Sequence, residues 1–301
     1  MLKIKVEENN IRIDSYLITK TEFSRSKIQK LIKDKLILVN DKPVKNSYLV
    51  KENDVILIDD FEDVTNNVQG EDIPLDIVYE DDDIIVVNKK SGMVVHPGNG
   101  NYNNTLVNAL VHYSDNLSSV NGEFRPGIVH RIDAFTSGLL VVAKNDFAHN
   151  YLAQSLKDKK TKRKYLALVE GVIGEDTATI DAPIGRDDKD RKKMTVTSHN
   201  SKNAVTHIRV LERYKDATLI ECSLETGRTH QIRVHMKYIN HPIINDKVYG
   251  SKSKIINPSF GQMLHAKTLG FVHPRTGEYL EFTCDAPLEF YEILSVYKDH
   301  N

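Results

Sequence analysis

The amino-acid sequence predicts an α+β protein with a small N-terminal domain and a large C-terminal domain. Strand-like and helix-like segments follow one another without the regular strand–helix–strand repeat of a doubly wound sheet. A polar stretch without hydrophobic periodicity separates the two domains and is interpreted as a linker. The chain has 301 residues, 40% of them hydrophobic, which is enough for a sizeable core. We therefore assign residues 1–60 to the small domain, 61–72 to the linker and 73–301 to the large domain.

The small domain is predicted to combine one amphipathic helix with short strands. From Ser24 onwards, apolar residues recur at helical spacing on one face, while lysines occupy the other. Two apolar runs, residues 36–39 and 55–58, predict strands, and the turn signal at residues 40–43 follows the first of them.

The large domain is predicted to mix strands and helices of ordinary length. Its first strand leads into a loop rich in glycine and proline, and its last helix has proline in the first turn. In chain order the predicted elements are strand 84–87, helix 105–113, strand 139–143, helix 146–160, strand 165–169, strand 217–224, helix 229–238, strand 280–283 and helix 287–297.

The charges are distributed unevenly along a chain whose net charge is only −1. Acidic residues dominate residues 59–83, whereas basic residues cluster at 20–35, 157–164 and 186–193. One such cluster is usually a solvated helix face, but three of them favour a polyanionic partner. The sequence therefore leaves room for a nucleic-acid partner.

Several other classes of protein are disfavoured. No stretch approaches the roughly 18 apolar residues that span a bilayer, and the N-terminus lacks a signal peptide's apolar core. We therefore expect no membrane partner and a cytoplasmic location. Cys222 and Cys284 have no second ligand at metal-binding spacing, so we expect buried free thiols rather than a zinc site or a disulfide.

The most informative segment is residues 127–144, where a polar loop centred on Asp133 opens directly into an apolar strand. A carboxylate at the end of a rigid element is well placed for catalysis. On composition alone, a structural ion-pair turn formed by His130, Arg131 and Asp133 is the more common explanation.

Four segments together resemble the RluA/RluD-type pseudouridine synthases. The first contains His-Arg-Ile-Asp at residues 130–133, followed by Thr-Ser-Gly-Leu-Leu. Residues 162–171, 226–235 and the pair 264–266 with 271–274 are similar to further family motifs in the same order. The resemblance covers most of residues 73–301. It implies the pseudouridine synthase fold, with a central mixed or antiparallel sheet, and an isomerase that converts uridine to pseudouridine without a cofactor or a metal.

The N-terminal domain resembles the S-four-type (alpha-L) RNA-binding domain, through Arg12-Ile13-Asp14, the segment 24–32 and Val39-Asn40. This resemblance implies that Arg25, Lys27 and Lys30 on the basic helix contact RNA phosphates. Structured RNA is the expected partner.

The resemblance also implies the catalytic residues. Asp133 matches the family's essential aspartate, and Arg233 the arginine that keeps this acid ionised. Tyr165 matches the tyrosine that stacks on the displaced uracil. The plainer alternatives are a structural salt bridge for Arg233 and core packing for Tyr165.

Further residues are implied to bind the substrate: His130, Arg131, Arg228, His230 and Leu264. Arg131 matches the arginine that enters the RNA stack when the uridine leaves it. Leu264 matches an apolar residue beneath the flipped base, with a plain core leucine as the alternative. A helix starting near Thr229 would place His230 and Arg233 on one face.

The sequence departs from the family pattern in two places. Ala134 and Phe135 follow the catalytic aspartate where a charged residue is common, and Lys90 replaces the proline of an Asn-Lys-Pro-x-Gly loop.

Three functions were compared. A non-catalytic RNA-binding or ribosome-assembly protein has no need for the set Asp133, Tyr165 and Arg233. A glycosidase or N-glycosylase usually works with two carboxylates, and the motifs offer one. The synthase is therefore preferred, with large-subunit ribosomal RNA as the expected substrate and transfer RNA as the alternative. We expect a monomer, because no long exposed apolar stretch requires a partner.

Overall fold

The computed structural model describes residues 2–21, 23, 25–59, 68–98, 101–122 and 125–298. The chain divides into two compact units, Met1–Asn66 and Asn67–Asn301. The division falls within the predicted linker, residues 61–72, of which residues 61–67 lie outside the described residues. Each unit is described separately below.

In the described part of the N-terminal unit there are two helices and six strands. Strands β1, β6, β3 and β4 form one antiparallel sheet in that order, and β2 pairs with β5. The elements are β1 (Leu2–Lys5), β2 (Ile11–Arg12), α1 (Ile13–Lys20), α2 (Arg25–Lys33), β3 (Ile37–Val39), β4 (Lys42–Pro43), β5 (Leu49–Val50) and β6 (Val55–Ile58).

Apolar residues at helical spacing explain how α1 and α2 pack on this sheet. Ile13, Leu17 and Ile28 are fully buried in one cluster with Ile37 and Ile56 of the strands. The turn predicted at residues 40–43 is present, with positive φ at its first two residues. The predicted helix cap, Ser24, lies outside the described residues.

A buried carboxylate, Asp14, ties the two helices together. It accepts hydrogen bonds of 3.1 Å from both Nε and Nη2 of Arg12 and one of 3.0 Å from Gln29 in α2. The guanidinium of Arg25 lies 3.5 Å away. Burial opposes ionisation of Asp14, but these hydrogen bonds and charges hold its pKa at about 2.

This pKa predicts how Asp14 stabilises the N-terminal unit against acid. The folded-state pKa lies below the unfolded value of 3.8, so the stabilisation is complete above about pH 4 and is lost as the pH falls towards 2. We expect Asp14→Asn to lower the free energy of unfolding of this unit by about 1–2 kcal/mol at pH 6.

The measurement is denaturant unfolding of the whole chain followed by methyl NMR, with Ile28 reporting the N-terminal unit and Ile85 the other. The stability difference between wild type and variant should shrink between pH 4 and pH 2. Parallel pH profiles for the two proteins would contradict the assigned role of Asp14.

The large unit contains the remaining elements. The strands are β7 (Ile77–Glu80), β8 (Ile84–Lys89), β9 (Ser137–Ala143), β10 (Lys162–Glu170), β11 (Thr177–Asp181), β12 (Ile184–Arg186), β13 (Met194–Val196), β14 (Ser201–Lys202), β15 (Val205–Arg213), β16 (Ala217–Leu224), β17 (Leu264–Val272) and β18 (Tyr279–Thr283). The helices are α3 (Leu106–Tyr113), α4 (Asp146–Lys157), α5 (Gln231–Tyr238) and α6 (Leu288–Lys298), with a short 3-10 helix at Lys252–Lys254.

A nine-stranded mixed sheet forms the frame of this unit, which confirms the predicted α+β class and sheet type. Its order is β11-β15-β16-β10-β17-β9-β8-β7, and β18 also pairs with β17. The pairing of β9 with β17 is parallel, and the other strand pairs are antiparallel. β12, β13 and β14 form a separate small sheet that carries the third basic cluster.

The junction between β9 and β17 requires a glycine. Gly138 has a φ of +109°, and a Cβ at this position would lie 2.3 Å from the carbonyl oxygen of Ala266. Any larger residue would therefore push the two strands apart. Beside it, the hydroxyl of Ser137 makes a 2.9 Å hydrogen bond with His265 Nδ1. The Thr-Ser-Gly motif thus fixes where β9 begins.

Three local predictions need correction. Helix α4 ends at Lys157 rather than 160, because Lys159 adopts a positive φ. Helix α5 begins at Gln231, so Thr229 and His230 lie outside it. Cys222 is a buried free thiol as predicted, whereas Cys284 is only partly buried. Among the described helices, none has the length and apolar content needed to cross a membrane.

Candidate active site

Asp133 lies in the loop that leads into β9, and its position is fixed by the backbone around it. Its carbonyl oxygen accepts a 3.0 Å hydrogen bond from the N–H of Thr136. The hydroxyl of Thr136 in turn accepts one from Gln262 Nε2 at 3.1 Å. On the other side, the N–H of Val141 donates to His130 Nε2 at 3.1 Å. The loop is therefore anchored to the sheet on both sides of the carboxylate.

The carboxylate of Asp133 is paired with a buried arginine. Arg233 Nη1 donates to Asp133 Oδ2 at 2.9 Å. Nε and Nη2 of the same guanidinium donate to the two oxygens of Asp246 at 2.7 and 2.9 Å. Asp246 is fully buried, whereas Asp133 keeps 17% of its side chain exposed. Asp246 thus holds the Nε and Nη2 side of the Arg233 guanidinium, and Nη1 is left to bind Asp133.

The two carboxylates of this cluster stabilise the positive charge of Arg233. Burial opposes the charge on Arg233, but the hydrogen bonds and charges of Asp246 and Asp133 raise its pKa above the ordinary value. The guanidinium therefore stays charged and places a positive charge next to Asp133 Oδ2. The other oxygen, Oδ1, accepts no hydrogen bond from the described residues.

His230 reaches this oxygen from a position that the sequence did not predict. It precedes α5 with a φ of 57°, in the left-handed region. Its Nε2 lies 3.9 Å from Asp133 Oδ1, and its Nδ1 shares a 2.8 Å hydrogen bond with the hydroxyl of Tyr249. Burial lowers the pKa of His230, so the ring is neutral at neutral pH. The predicted proximity to Arg233 is present, but through a turn rather than a helix face.

Tyr165 and Leu264 come from the neighbouring strands β10 and β17. Both are almost fully buried and both line the cavity in front of Asp133. Burial raises the pKa of Tyr165, and the charge of Asp133 raises it further, whereas Arg163 opposes the shift. The tyrosine is therefore a neutral phenol at physiological pH, able to present a ring face and a hydroxyl together.

A single cavity of about 460 Å³ brings the predicted site residues together. It is large enough for one nucleotide. All eight candidates from the large domain line it: His130, Arg131, Asp133, Tyr165, Arg228, His230, Arg233 and Leu264.

The lining of this cavity carries far more positive than negative charge. Asp133 is the one acidic side chain among the lining residues. The basic ones are Arg131, Lys157, Arg163, Arg228 and Arg233. Arg131 is exposed. This excess suits a phosphate-bearing ligand.

His130 has a structural role at the back of the site. Burial, together with the charge of Arg163, lowers its pKa to about 3, so the ring is neutral. Its Nε2 is occupied as the acceptor for Val141.

Sequence reasoning missed residues that support the site from behind, among them Asp246 and Lys89. Asp246 lies outside the quoted motifs, and a single acid in a loop gives no signal of its own. Lys89 belongs to the segment noted only for its missing proline. Its ammonium donates 2.8 Å hydrogen bonds to the carbonyl oxygens of Lys90, Met93 and Ala134. Burial lowers the pKa of Lys89 to about 7, and the charge of Asp133 opposes this. Lys89 thus holds the loop just after Asp133.

The N-terminal candidates are placed less completely. The side chain of Arg25 is 57% exposed and is partly engaged, with Nη2 donating to Ser15 at 2.9 Å. The side chains of Lys27 and Lys30 lie outside what the structure describes.

Comparison with known proteins identifies the family. The profile of the RNA pseudouridylate synthase family matches residues 83–238, which is more than half of the chain. The chain belongs to this family. It is an RNA pseudouridine synthase, an isomerase, and residues 11–56 match the S4 domain, which confirms both resemblances seen in the sequence.

Individual relatives of this synthase agree over nearly the whole chain. The RNA pseudouridine synthase YlyB of Bacillus subtilis is 52% identical over 96% of this chain and 94% of its own. Ribosomal large subunit pseudouridine synthase D of Neisseria meningitidis serogroup B is 43% identical over 98% and 81%. The structure of Human RNA Pseudouridylate Synthase Domain Containing 1 is similar with a TM-score of 0.60 and 30% identity, covering 72% of this chain and 86% of that one.

Proposed function

We propose that this synthase isomerises uridine in large-subunit ribosomal RNA, with Asp133 as the catalytic carboxylate. The observation that carries the chemistry is the pairing of Asp133 Oδ2 with Arg233 at the wall of an electropositive cavity, while Oδ1 accepts no hydrogen bond from the described residues. The substrate class is supported by the name of the Neisseria relative, a large-subunit synthase 43% identical to this chain.

The reaction moves the uracil on its ribose without any redox change. The bond from the base nitrogen to the anomeric carbon breaks, the base turns, and a ring carbon forms the new bond and loses its proton, while the freed nitrogen gains one. Asp133 Oδ1 would act as nucleophile at the sugar or the base, next to the positive charge of Arg233, and the bond that it forms would break again before product is released. Tyr165 and Leu264 provide apolar surface for a base that has left the RNA stack.

The site contains a second acid, Asp246, but this does not make it a glycosidase site. Two-carboxylate hydrolysis needs both acids to face the substrate. Asp246 is fully buried, and both of its oxygens accept hydrogen bonds from Arg233. Its role is to position the arginine, which leaves one acid for the chemistry.

Arg131 and Arg228 are proposed to hold the RNA around the flipped uridine. Arg228 Nε donates to the carbonyl oxygen of Asn203 at 2.8 Å, which fixes its guanidinium at the cavity wall. In the N-terminal domain, Arg25, Lys27 and Lys30 are proposed to bind RNA phosphates. Action as a monomer in the cytoplasm remains a prediction.

The test is a pseudouridine map of total RNA, obtained by carbodiimide labelling, from cells with and without the gene. We expect a defined set of large-subunit ribosomal positions to disappear and to return with the wild-type gene but not with Asp133→Asn. Loss of transfer-RNA positions instead would correct the substrate and keep the chemistry. An unchanged map would contradict the proposed activity.

A further inference from the structure

Two buried arginines, Arg163 and Arg233, line the catalytic cavity, and within the described part of the chain only Arg233 has an acidic partner. Arg233 is bracketed by Asp133 and Asp246. Arg163, the second residue of β10, is only 8% exposed. Among the described residues, no carboxylate oxygen forms an ion pair with it, and its Nε is buried without any hydrogen-bond partner.

The remaining contacts of Arg163 are weak or repulsive. Its Nη2 donates to the carbonyl oxygen of Glu225 across a long 3.4 Å. Burial lowers the pKa of Arg163, and the nearby charge of Arg228 lowers it further. A buried cation is costly unless an anion or several acceptors compensate it. The described residues supply too few of these, so an external anion is the natural partner.

The chain makes room for this guanidinium at the cavity wall. A Cβ placed on Gly227 would lie 2.6 Å from Arg163 Nη1. The glycine of the Thr-Gly-Arg motif therefore lets Arg163 reach the cavity, while the next residue, Arg228, lines the same wall. Neither Arg163 nor Arg228 forms an ion pair with an acid among the described residues, so this wall offers two positive charges and several N–H donors to a phosphate.

We propose that Arg163, assisted by Arg228, binds a backbone phosphate of the nucleotide whose uracil is isomerised. Phosphodiesters are the anionic groups of RNA, and two of them flank every ribose. A ribose held beside Asp133 therefore carries a phosphate into the same cavity that Arg163 lines. This subsite would orient the sugar relative to Asp133 Oδ1 and would be filled only when the nucleotide has left the stack. The proposal rests on the proposed function, since it needs RNA as the ligand.

The test measures how RNA binding depends on salt. Each phosphate contact contributes about −0.7 to −0.9 to the slope of log affinity against log salt concentration. The full-length protein is titrated into total RNA from cells that lack the gene, and binding is measured at several salt concentrations. Arg163→Met removes the charge at similar length, and Arg163→Lys keeps it. Arg209→Met is the matched control, because Arg209 is paired with Glu221 on the sheet surface outside the cavity.

We expect Arg163→Met to weaken binding about tenfold or more and to make the slope shallower by about one contact. Arg163→Lys should keep the wild-type slope, as should Arg209→Met. Gly227→Ala, which displaces the guanidinium without removing it, should behave like Arg163→Met. If Arg163→Met fails to fold, Gly227→Ala decides the question.

Equal slopes for wild type, Arg163→Met and Gly227→Ala would overturn the phosphate subsite. A purely structural role would lower the melting temperature and leave the slope unchanged, which would also overturn it. Release of tritium from RNA labelled at uridine C5 is measured in parallel. Its absence with wild-type protein would contradict the proposed function, whereas the salt slopes judge the subsite independently.

Discussion

Replacing Asp133 with asparagine is expected to reduce pseudouridine formation by about 10⁴-fold or more, as removal of a nucleophile does in other enzymes. The change keeps the volume of the side chain and removes its charge. Arg233 keeps both hydrogen bonds to Asp246, so no buried charge loses its last partner. We therefore expect the melting temperature and RNA affinity to stay close to wild type.

The measurement is single-turnover release of tritium from RNA labelled at uridine C5, with affinity from equilibrium binding to the same RNA. Asp181→Asn is a suitable control, since Asp181 is an exposed acid at the end of β11 and does not line the cavity. Turnover within tenfold of wild type in the Asp133→Asn variant would rule out the catalytic role of this carboxylate.

Replacing Asp246 with alanine is expected to cause the largest loss of stability at the site. Asp246 is fully buried, and its Oδ1 also accepts hydrogen bonds from the N–H groups of Val248 and Tyr249. Without it, the buried guanidinium of Arg233 loses two of its hydrogen bonds, and two backbone N–H groups lose their acceptor. Breaking a buried ion pair in this way costs about 3 kcal/mol or more.

For a unit of this size, that loss corresponds to a melting temperature lower by about 6–12 °C. Turnover should fall about 100-fold as well, because Arg233 loses the anchor that aligns Asp133. Calorimetry of Asp246→Ala, Arg233→Met and the double variant separates the two effects. The double variant should lose less stability than the sum of the single variants, since neither charge is then left unpaired. Additive losses would contradict the proposed coupling.

Much of the fold follows from local patterns. The helix predicted at residues 105–113 is α3, and Thr105 is its N-cap, with its side chain accepting from the N–H of Asn108. The strand predicted at 217–224 is β16, residue for residue, because its apolar run is buried within the sheet. Local sequence fails where backbone conformation is unusual. His230 and Lys159 both adopt positive φ, so α5 starts later and α4 ends earlier than helical periodicity indicates.

The site residues that lie within recognisable sequence motifs were predicted. All eight large-domain candidates line one cavity. Three residues were not assigned to the site from the sequence: Asp246, Lys89 and Arg163. The role of each depends on which distant residues it contacts, or fails to contact, in the folded chain. Lys89 bonds to Ala134, 45 positions away, and Arg233 reaches 100 positions back to Asp133. Such contacts depend on how β8, β9, β10 and α5 are brought together in the folded unit.

By itself the sequence predicted the α+β class, a two-part organisation and a set of cavity residues that includes Asp133, because periodicity, turn residues and contiguous motifs are local properties of the chain. Only the tertiary structure decided which charges are compensated. Asp133 and Asp246 share Arg233, while Arg163 is left without an acidic partner among the described residues. The physical reason is that burial and pairing depend on distances between residues far apart in the chain, and those distances exist only once the sheet has formed.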